Sequence, residues 1–377
     1  MHTIHLASTH HPFDSRIFHR ECQSLVKAGY RVSLIVPHER SEVVDGVQIL
    51  AVPPPRSGRE RLTVTLRQIY ALARSTPPDA LLHVHDAELL PYMLLLRLQG
   101  RRLVYDAHED TPLQALYQHW IPKILRRPVG EVMRVVEALT GWFFEGVIAA
   151  EPVIARRYPR HKTILVHNFP LVNELVLEDS TPYVDRAPVV TYIGSLSEVR
   201  GIREVVQAMA HVPTEAELLL GGRFYPAAFE REVTQLPGWD RTRFVGWLTR
   251  PAMAEALAQA RVGVVTLHPV PRYLGNYPTK LFEYMAAGLP VVVSDFPQLR
   301  PFVEEHRCGV LVNPLDPKAI GEAIAWLLEH PEEAAAMGQR GRDAVRDRYN
   351  WDREAARLIQ FYGGLALAAA PEAGGRA

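Results

Sequence analysis

The sequence predicts an α/β protein built from two doubly wound halves, and three observations carry that reading. Short apolar runs alternate with amphipathic stretches along nearly the whole chain, the pattern of strands and helices taken in turn. The alternation restarts after Phe169–Ala187, a stretch marked by Pro170, Pro182 and Pro188 with few long apolar runs, which reads as a linker. Finally, 377 residues at 47% apolar and 22% charged suffice for two buried cores and argue against disorder.

In the first half, Thr3–Ser8 reads as a strand, Ile17–Gly29 as a helix stopped by its glycine, and Arg31–Val36 as a second strand ended by Pro37. A helix over Arg61–Arg74, a strand over Ala80–His85, a helix over Leu89–Gln99 and a strand over Arg102–Asp106 follow. Gln114–Phe144 reads as a long helical region broken near Pro128-Val129-Gly130, before strands at Gly146–Ala149 and Thr163–His167.

In the second half, strands are expected at Val189–Ile193, Glu217–Leu220, Arg243–Val245, Val262–Leu267 and Pro290–Ser294. Helices are expected at Gly201–Ala210, Pro251–Ala260, Lys280–Ala287, Pro317–Leu328, Pro331–Asp347 and Trp351–Leu365; Asp316-Pro317 has the form of an N-cap followed by an N1 proline. The expected organisation is a domain over 1–170, a linker over 171–187, a domain over 188–350, a helix over 351–366 returning toward the first domain, and a flexible tail over 367–377. Two such halves imply a ligand held in a cleft between them.

Equal numbers of basic and acidic residues, 42 of each, exclude a globally basic nucleic-acid binder. The balance is an average: residues 1–170 hold 21 basic and 16 acidic side chains, the remainder 21 and 26, and 12 of the 16 histidines fall in the first part. Cys22 and Cys308 are unpatterned, which fits a reducing compartment. No signal peptide or transmembrane run is visible, so a cytoplasmic protein is expected. Lys123, Arg126, Arg127 and Arg134 share a helical stretch with Trp120, Ile121, Ile124, Leu125 and Val129. That stretch fits an anionic membrane surface at the inner face of a membrane; the favoured alternative is a helix packed on its own domain with a solvated basic face.

Two loops are suited to phosphate. In Asn276-Tyr277-Pro278-Thr279-Lys280-Leu281-Phe282-Glu283, a helix begins at Thr279 and Lys280, where unpaired N–H groups and the helix dipole favour an anion. Glu283, one turn later, is placed to accept two ribose hydroxyls; the competing reading is a solvated Lys280–Glu283 pair on a surface helix. The second loop, Tyr192-Ile193-Gly194-Ser195-Leu196-Ser197-Glu198-Val199-Arg200-Gly201, is a strand, a glycine turn and a basic residue at the carboxyl edge of a sheet.

Together these segments resemble the nucleotide-sugar site of family-4 glycosyltransferases, which have two Rossmann-like domains facing each other across a cleft, the GT-B arrangement. The most specific part is Leu281-Phe282-Glu283-Tyr284-Met285-Ala286-Ala287-Gly288-Leu289-Pro290-Val291-Val292, with support from Ala28-Gly29-Tyr30-Arg31-Val32, His83-Val84-His85-Asp86, Tyr105-Asp106-Ala107-His108-Glu109 and Tyr349-Asn350-Trp351-Asp352. The resemblance implies that Glu283 holds the donor ribose, that Arg200 and Lys280 neutralise the diphosphate beside Gly194, Ser195, Tyr277 and Thr279, and that the loop Phe244-Val245-Gly246 meets the base. It implies that His108 approaches the transferred sugar, and that transfer retains anomeric configuration without a metal or further cofactor. The partners it implies are a nucleoside-diphosphate-sugar donor and a saccharide or lipid-linked acceptor in bacterial envelope or glycoconjugate synthesis.

The pattern departs from the family at two places. A glutamate often found eight positions before Glu283 is Gly275 here, and an arginine often following the strand glycine is Ser195, which leaves the diphosphate to Arg200, Lys280 and backbone N–H groups. The loop Ser8–Arg16 stands where the family has a glycine-rich loop, and Asp14 and Arg16 are read as acceptor contacts, with an Asp14 helix cap the equal alternative. His83-x-His85-Asp86 has metal-ligand spacing on one strand face, but no further ligand cluster lies nearby in sequence, so no metal is expected and Glu88 reads as a solvated residue. The competing functions are a non-catalytic nucleotide-sugar binder, and an epimerase or phosphorylase on the same fold; Lys27, Lys123, Lys162, Lys280 and Lys318 offer no evident pyridoxal-phosphate context. A dehydrogenase is disfavoured, because no Gly-x-Gly-x-x-Gly turn follows the first strand.

Overall fold

The structure, a computed structural model, describes residues 1–117, 121–172, 174–177 and 181–368. It divides into two compact units, one formed by Met1–Asn168 with the C-terminal helix from Asp352 onward, the other by Phe169–Trp351.

The first unit is built on β1 (His2–Leu6), β2 (Arg31–Pro37), β3 (Glu42–Val44), β4 (Val47–Val52), β5 (Leu81–Val84), β6 (Arg102–Ala107), β7 (Gly146–Ala149) and β8 (Thr163–Leu165). Their order is β3-β4-β2-β1-β5-β6-β7-β8. Every pairing is parallel except the β3–β4 hairpin, whose two-residue turn Asp45-Gly46 is a strong local signal that the sequence reading passed over. Chain direction around the sheet reverses between β1 and β5, the place in such folds where ligands gather at the carboxyl ends of strands. The central strands β1, β2, β5, β6 and β7 are buried along almost their whole length and are largely apolar. Ile69, Ala73, Met93 and Leu96 from covering helices complete one core layer over Ile4, Leu82 and Leu103.

The helix Lys123–Phe143 differs from expectation in two ways. It runs through Pro128 unbroken, because the proline lies in the second turn and removes only one main-chain bond. Its basic side chains Lys123, Arg127 and Arg134 are exposed as expected, but an unexpected apolar stripe is exposed beside them: Ile124 is 84% exposed, Val132 61%, Val135 59% and Trp142 67%, with Leu139 and Phe143 alongside. Trp120 of this stretch lies outside the described residues, as does the tail beyond Ala368. The helix Trp351–Ala368 seats Leu358 and Tyr362 in full burial, and the Tyr362 hydroxyl reaches Thr3 and His83.

The second unit contains β9 (Val189–Leu196), β10 (Glu217–Phe224), β11 (Thr242–Gly246), β12 (Val262–Val265), β13 (Val291–Ser294) and β14 (Gly309–Val312), all parallel, in the order β11-β10-β9-β12-β13-β14. This is the doubly wound order, with its reversal between β9 and β12. Leu281, Phe282, Met285 and Leu289 pack one face, while Val205, Val206, Ile320 and Leu327 pack the other. The segment expected as a spacer contributes Leu175 to this core, and the Tyr183 hydroxyl donates to the Arg261 carbonyl at 2.7 Å.

Candidate functional site

In the second unit, the helix Thr279–Ala286 follows Pro278 at its N-cap and delivers two polar side chains, Lys280 and Tyr284, to the end of β9. The Lys280 ammonium donates to the Tyr192 hydroxyl at 2.7 Å and lies 4.0 Å from the centre of that ring. One turn later, the Tyr284 hydroxyl accepts the Ile193 N–H at 2.8 Å, which fixes the helix to the strand. Gly194 makes this approach possible: it has φ +148°, and a Cβ there would stand 2.8 Å from the Lys280 nitrogen. Burial, reinforced by the Arg200 charge, lowers the Lys280 pKa well below the usual lysine range. Arg200 stands over the Tyr273 ring at 5.7 Å. Among the described residues, neither Lys280 nor Arg200 forms an ion pair with a carboxylate. The crevice at the β9–β12 reversal therefore holds the Arg200 guanidinium, the Lys280 nitrogen, which an arriving anion would help to charge, and an open helix N-terminus, the arrangement that favours an anion.

The Lys280–Glu283 pair expected as a solvated alternative does not form, since both side chains are buried. Glu283 instead accepts from Arg250 at 2.6 Å, and Arg250 also clasps Glu174 with two bonds of 2.6 and 2.7 Å. Thr279 is half-buried at the first helical position, Ser195 is exposed, and Tyr277 packs edge-on against Phe302. At β11 the ladder slips: Leu220 pairs with Phe244 and Gly221 with Gly246, so Val245 is the additional residue of a bulge that re-aims the local backbone. Gly275, where the family often has glutamate, adopts φ +116°, a conformation that disfavours any side chain.

In the first unit, Asp106 at the end of β6 is the hub. It accepts two bonds from Arg16, at 2.9 and 2.7 Å, and one from His85 at 3.0 Å, and lies 3.2 Å from His108 Nδ1. Against the cost of burial, Arg16 and these imidazoles hold the Asp106 carboxyl well below the usual carboxylate range. Burial pushes His85 down to about 4, overriding its Asp106 bond. His108 borders a cavity of about 450 Å³ that is also lined by Thr9, Asp86, Glu109, Gln114 and Ile121.

Two expectations are corrected here, and one of two open readings is decided. Arg16 is not an acceptor contact: it is buried, with its guanidinium spent on Asp106, Glu21 and the Val166 carbonyl. Asp14 caps the following helix, accepting the N–H groups of Arg16 at 2.8 Å and Ile17 at 3.0 Å. Glu88 is half-buried and accepts from Ser8, with Arg61 paired to it at 3.1 Å. Sequence reasoning also missed Asp86 as the anchor of the loop after β1. Asp86 takes the N–H groups of Ser8 and Thr9 at 2.6 and 3.1 Å, while His10 sits 3.1 Å from its other oxygen. Burial opposes the charge on His10, but the Asp86 bond outweighs it and raises the imidazole to about 9.

Residues 15–168 match the glycosyl transferase 4-like domain, and residues 187–330 match glycosyl transferases group 1. The chain belongs to the group 1 glycosyltransferases. Its two parallel-sheet units are those of the GT-B fold. Among curated relatives, a D-inositol 3-phosphate glycosyltransferase of Xylanimonas cellulosilytica is 27% identical over 47% of this chain and 42% of its own length. A GDP-mannose-dependent alpha-(1-6)-phosphatidylinositol monomannoside mannosyltransferase of Mycolicibacterium smegmatis is 29% identical over 47% of this chain and 48% of its own. The match thus spans about half the length of these relatives. Among solved structures, sucrose-phosphate synthase from Thermosynechococcus elongatus superposes with a TM-score of 0.77 at 22% identity, over 98% of this chain and all of that one. No helix among the described residues is long and apolar enough to cross a membrane.

Proposed function

We propose that this chain transfers a glycosyl group from a nucleoside-diphosphate sugar to an acceptor hydroxyl with retention of configuration, using neither a catalytic metal nor a further cofactor. The observation that carries the reading is the cluster of anion-seeking groups at the β9–β12 reversal, where Lys280 and Arg200 stand beside the N-terminus of the helix Thr279–Ala286 with no carboxylate paired to either among the described residues. A diphosphate there restores the charge that burial penalises on Lys280. In the transfer, the anomeric carbon–phosphate oxygen bond breaks, and the acceptor oxygen forms the new bond. The acceptor proton passes to the leaving diphosphate. Lys280, Arg200 and the helix N-terminus stabilise the charge developing on that leaving group.

We assign Glu283 to the ribose, the backbone at Val245 and Gly246 to the base, Gly194, Ser195 and Thr279 to the phosphates, and His108 to a sugar hydroxyl. Donor binding displaces or shares the Arg250 bond to Glu283, and Glu174 keeps Arg250 paired while it does so. The GDP-mannose and phosphatidylinositol named for the mycobacterial relative support a nucleotide-sugar donor and a saccharide or lipid-linked acceptor in envelope glycoconjugate synthesis. An acceptor of that kind places the chain at the inner face of a membrane. The exposed apolar stripe Ile124, Val132, Val135, Leu139 and Trp142, flanked by Lys123, Arg127 and Arg134, has the character of a surface that rests on anionic lipid.

The test is incubation with a panel of nucleotide sugars and candidate acceptors, with free nucleoside diphosphate as the readout. Release that depends on both donor and acceptor supports transfer. A donor that binds and is never consumed supports a non-catalytic nucleotide-sugar binder instead. Sedimentation with anionic phospholipid vesicles tests the membrane surface, and binding unchanged in Trp142→Ser with Val135→Ser removes it.

A further inference from the structure

The sheet of the first unit buries a second constellation. His5 on β1 and His83 on β5 are direct neighbours in the parallel ladder, and His85 follows His83 by two residues, so all three imidazoles share one face. Their ring centres lie 4.5 to 5.1 Å apart. Glu21, on the helical segment Ile17–Cys22 that covers this face, completes the group: each of the four residues offers one ligand atom within 4.8 Å of the others, and all four are buried.

The polar atoms here are conspicuously short of partners. His5 Nε2, His83 Nε2 and both Glu21 carboxylate oxygens are buried without a hydrogen bond; the Arg16 Nε that comes within 3.0 Å of Glu21 lacks hydrogen-bond alignment. Four such atoms in one place are costly unless something binds them together. Meanwhile, the opposite ring nitrogens are held: His85 Nδ1 is 3.0 Å from Asp106, and His83 Nδ1 is 2.6 Å from the Tyr362 hydroxyl. Histidines that bind a metal are oriented in this way, one nitrogen on a carboxylate or hydroxyl and the other toward the ion. His85 Nε2 meets His5 Nδ1 at 2.9 Å, and the ion replaces that hydrogen bond, taking His85 Nε2 directly and the His5 ring turned to present its orphaned Nε2.

We propose that His5, Glu21, His83 and His85 form a closed structural site for a divalent cation of the zinc class. Three imidazoles and one carboxylate suit such an ion rather than the all-oxygen shells of calcium or magnesium. Four protein ligands leave no open position, so the ion contributes to folding and not to the transfer reaction, and it enters as the chain folds. This site stands independently of the glycosyl-transfer reading.

The test uses the full chain, expressed without a metal-binding tag and purified without chelator. Elemental analysis is expected to give about one zinc per chain. After unfolding in chelator, refolding with zinc gives stoichiometric uptake against a chromophoric competitor and a higher melting temperature than refolding without it. Glu21→Gln, which keeps the side-chain volume, abolishes both effects. Tyr362→Phe, which removes only the outer partner of His83, weakens zinc about 10–100-fold, with the circular dichroism spectrum unchanged. Should Glu21→Gln fail to fold, Tyr362→Phe decides alone. A folded wild-type chain that holds no zinc and gains no stability from it overturns the proposal, as does wild-type affinity in Tyr362→Phe.

Discussion

The two α/β units each reverse chain direction beside their first strand, between β1 and β5 in one and between β9 and β12 in the other, but solve the charge at that point in opposite ways. In the first unit, Arg16 is enclosed by Asp106 and Glu21, and the imidazoles around it bond to the same carboxylate, so the crevice is internally compensated. In the second, Lys280 and Arg200 meet tyrosines, and the nearby carboxylate Glu283 is directed to Arg250. One unit has spent its charge on holding a loop and a histidine in place; the other keeps unspent charge where an anion fits.

The contrast is sharpest in how each unit tolerates losing its buried cation. Arg16→Met strands two buried carboxylates and should destabilise the chain by about 3–5 kcal/mol in denaturant unfolding. Lys280→Met removes a buried charge without a carboxylate partner, so the empty chain should be as stable as wild type or more so. Its affinity for a nucleoside diphosphate should nevertheless fall by about 2 kcal/mol, roughly thirtyfold. Equal destabilisation by the two substitutions would break the comparison. Glu283→Ala should cost about 1.5–3 kcal/mol of nucleotide affinity, with little loss of fold, because Glu174 continues to hold Arg250.

Two titrations probe smaller effects. Because the Lys280 pKa is depressed in the folded chain, the group binds fewer protons there than when unfolded, and an arriving phosphate restores the missing charge. Diphosphate binding should therefore take up protons and tighten as pH falls toward the folded pKa, which calorimetry in buffers of different ionisation heat detects. His10 has the opposite sign: its pKa rises to about 9, so its contribution is complete below the unfolded value near 6.5 and is lost as pH rises through about 9. Imidazole shifts in NMR should show that titration, moved back toward the ordinary value in Asp86→Asn.

Much of the second unit was legible in sequence, because its signals are local. Thr279, Lys280 and Glu283 lie within one helix, and Gly194 within one strand end, so spacing alone brings them near a shared crevice. The first unit was less legible. His83 and His85 announce a shared face, but the partners that complete their cluster, His5 and Glu21, come from a neighbouring strand and from a covering helix. No spacing rule links them. Arg16 read as a solvent-facing contact because its charge is the sequence signal, whereas its burial depends on Asp106, 90 residues away. The helix Lys123–Phe143 was half legible: its exposed lysine and arginines form the solvated basic side their charge suggests, but Val132, Val135, Leu139 and Trp142, three or four residues apart, add an exposed apolar stripe beside it.

The most direct test of the account is the melting temperature of wild type and Lys280→Met with and without saturating nucleoside diphosphate. The account predicts a rise on adding the nucleotide to wild type and little or none in Lys280→Met, whose nucleotide-free melting temperature equals or exceeds that of wild type. An equal rise in both proteins would contradict it.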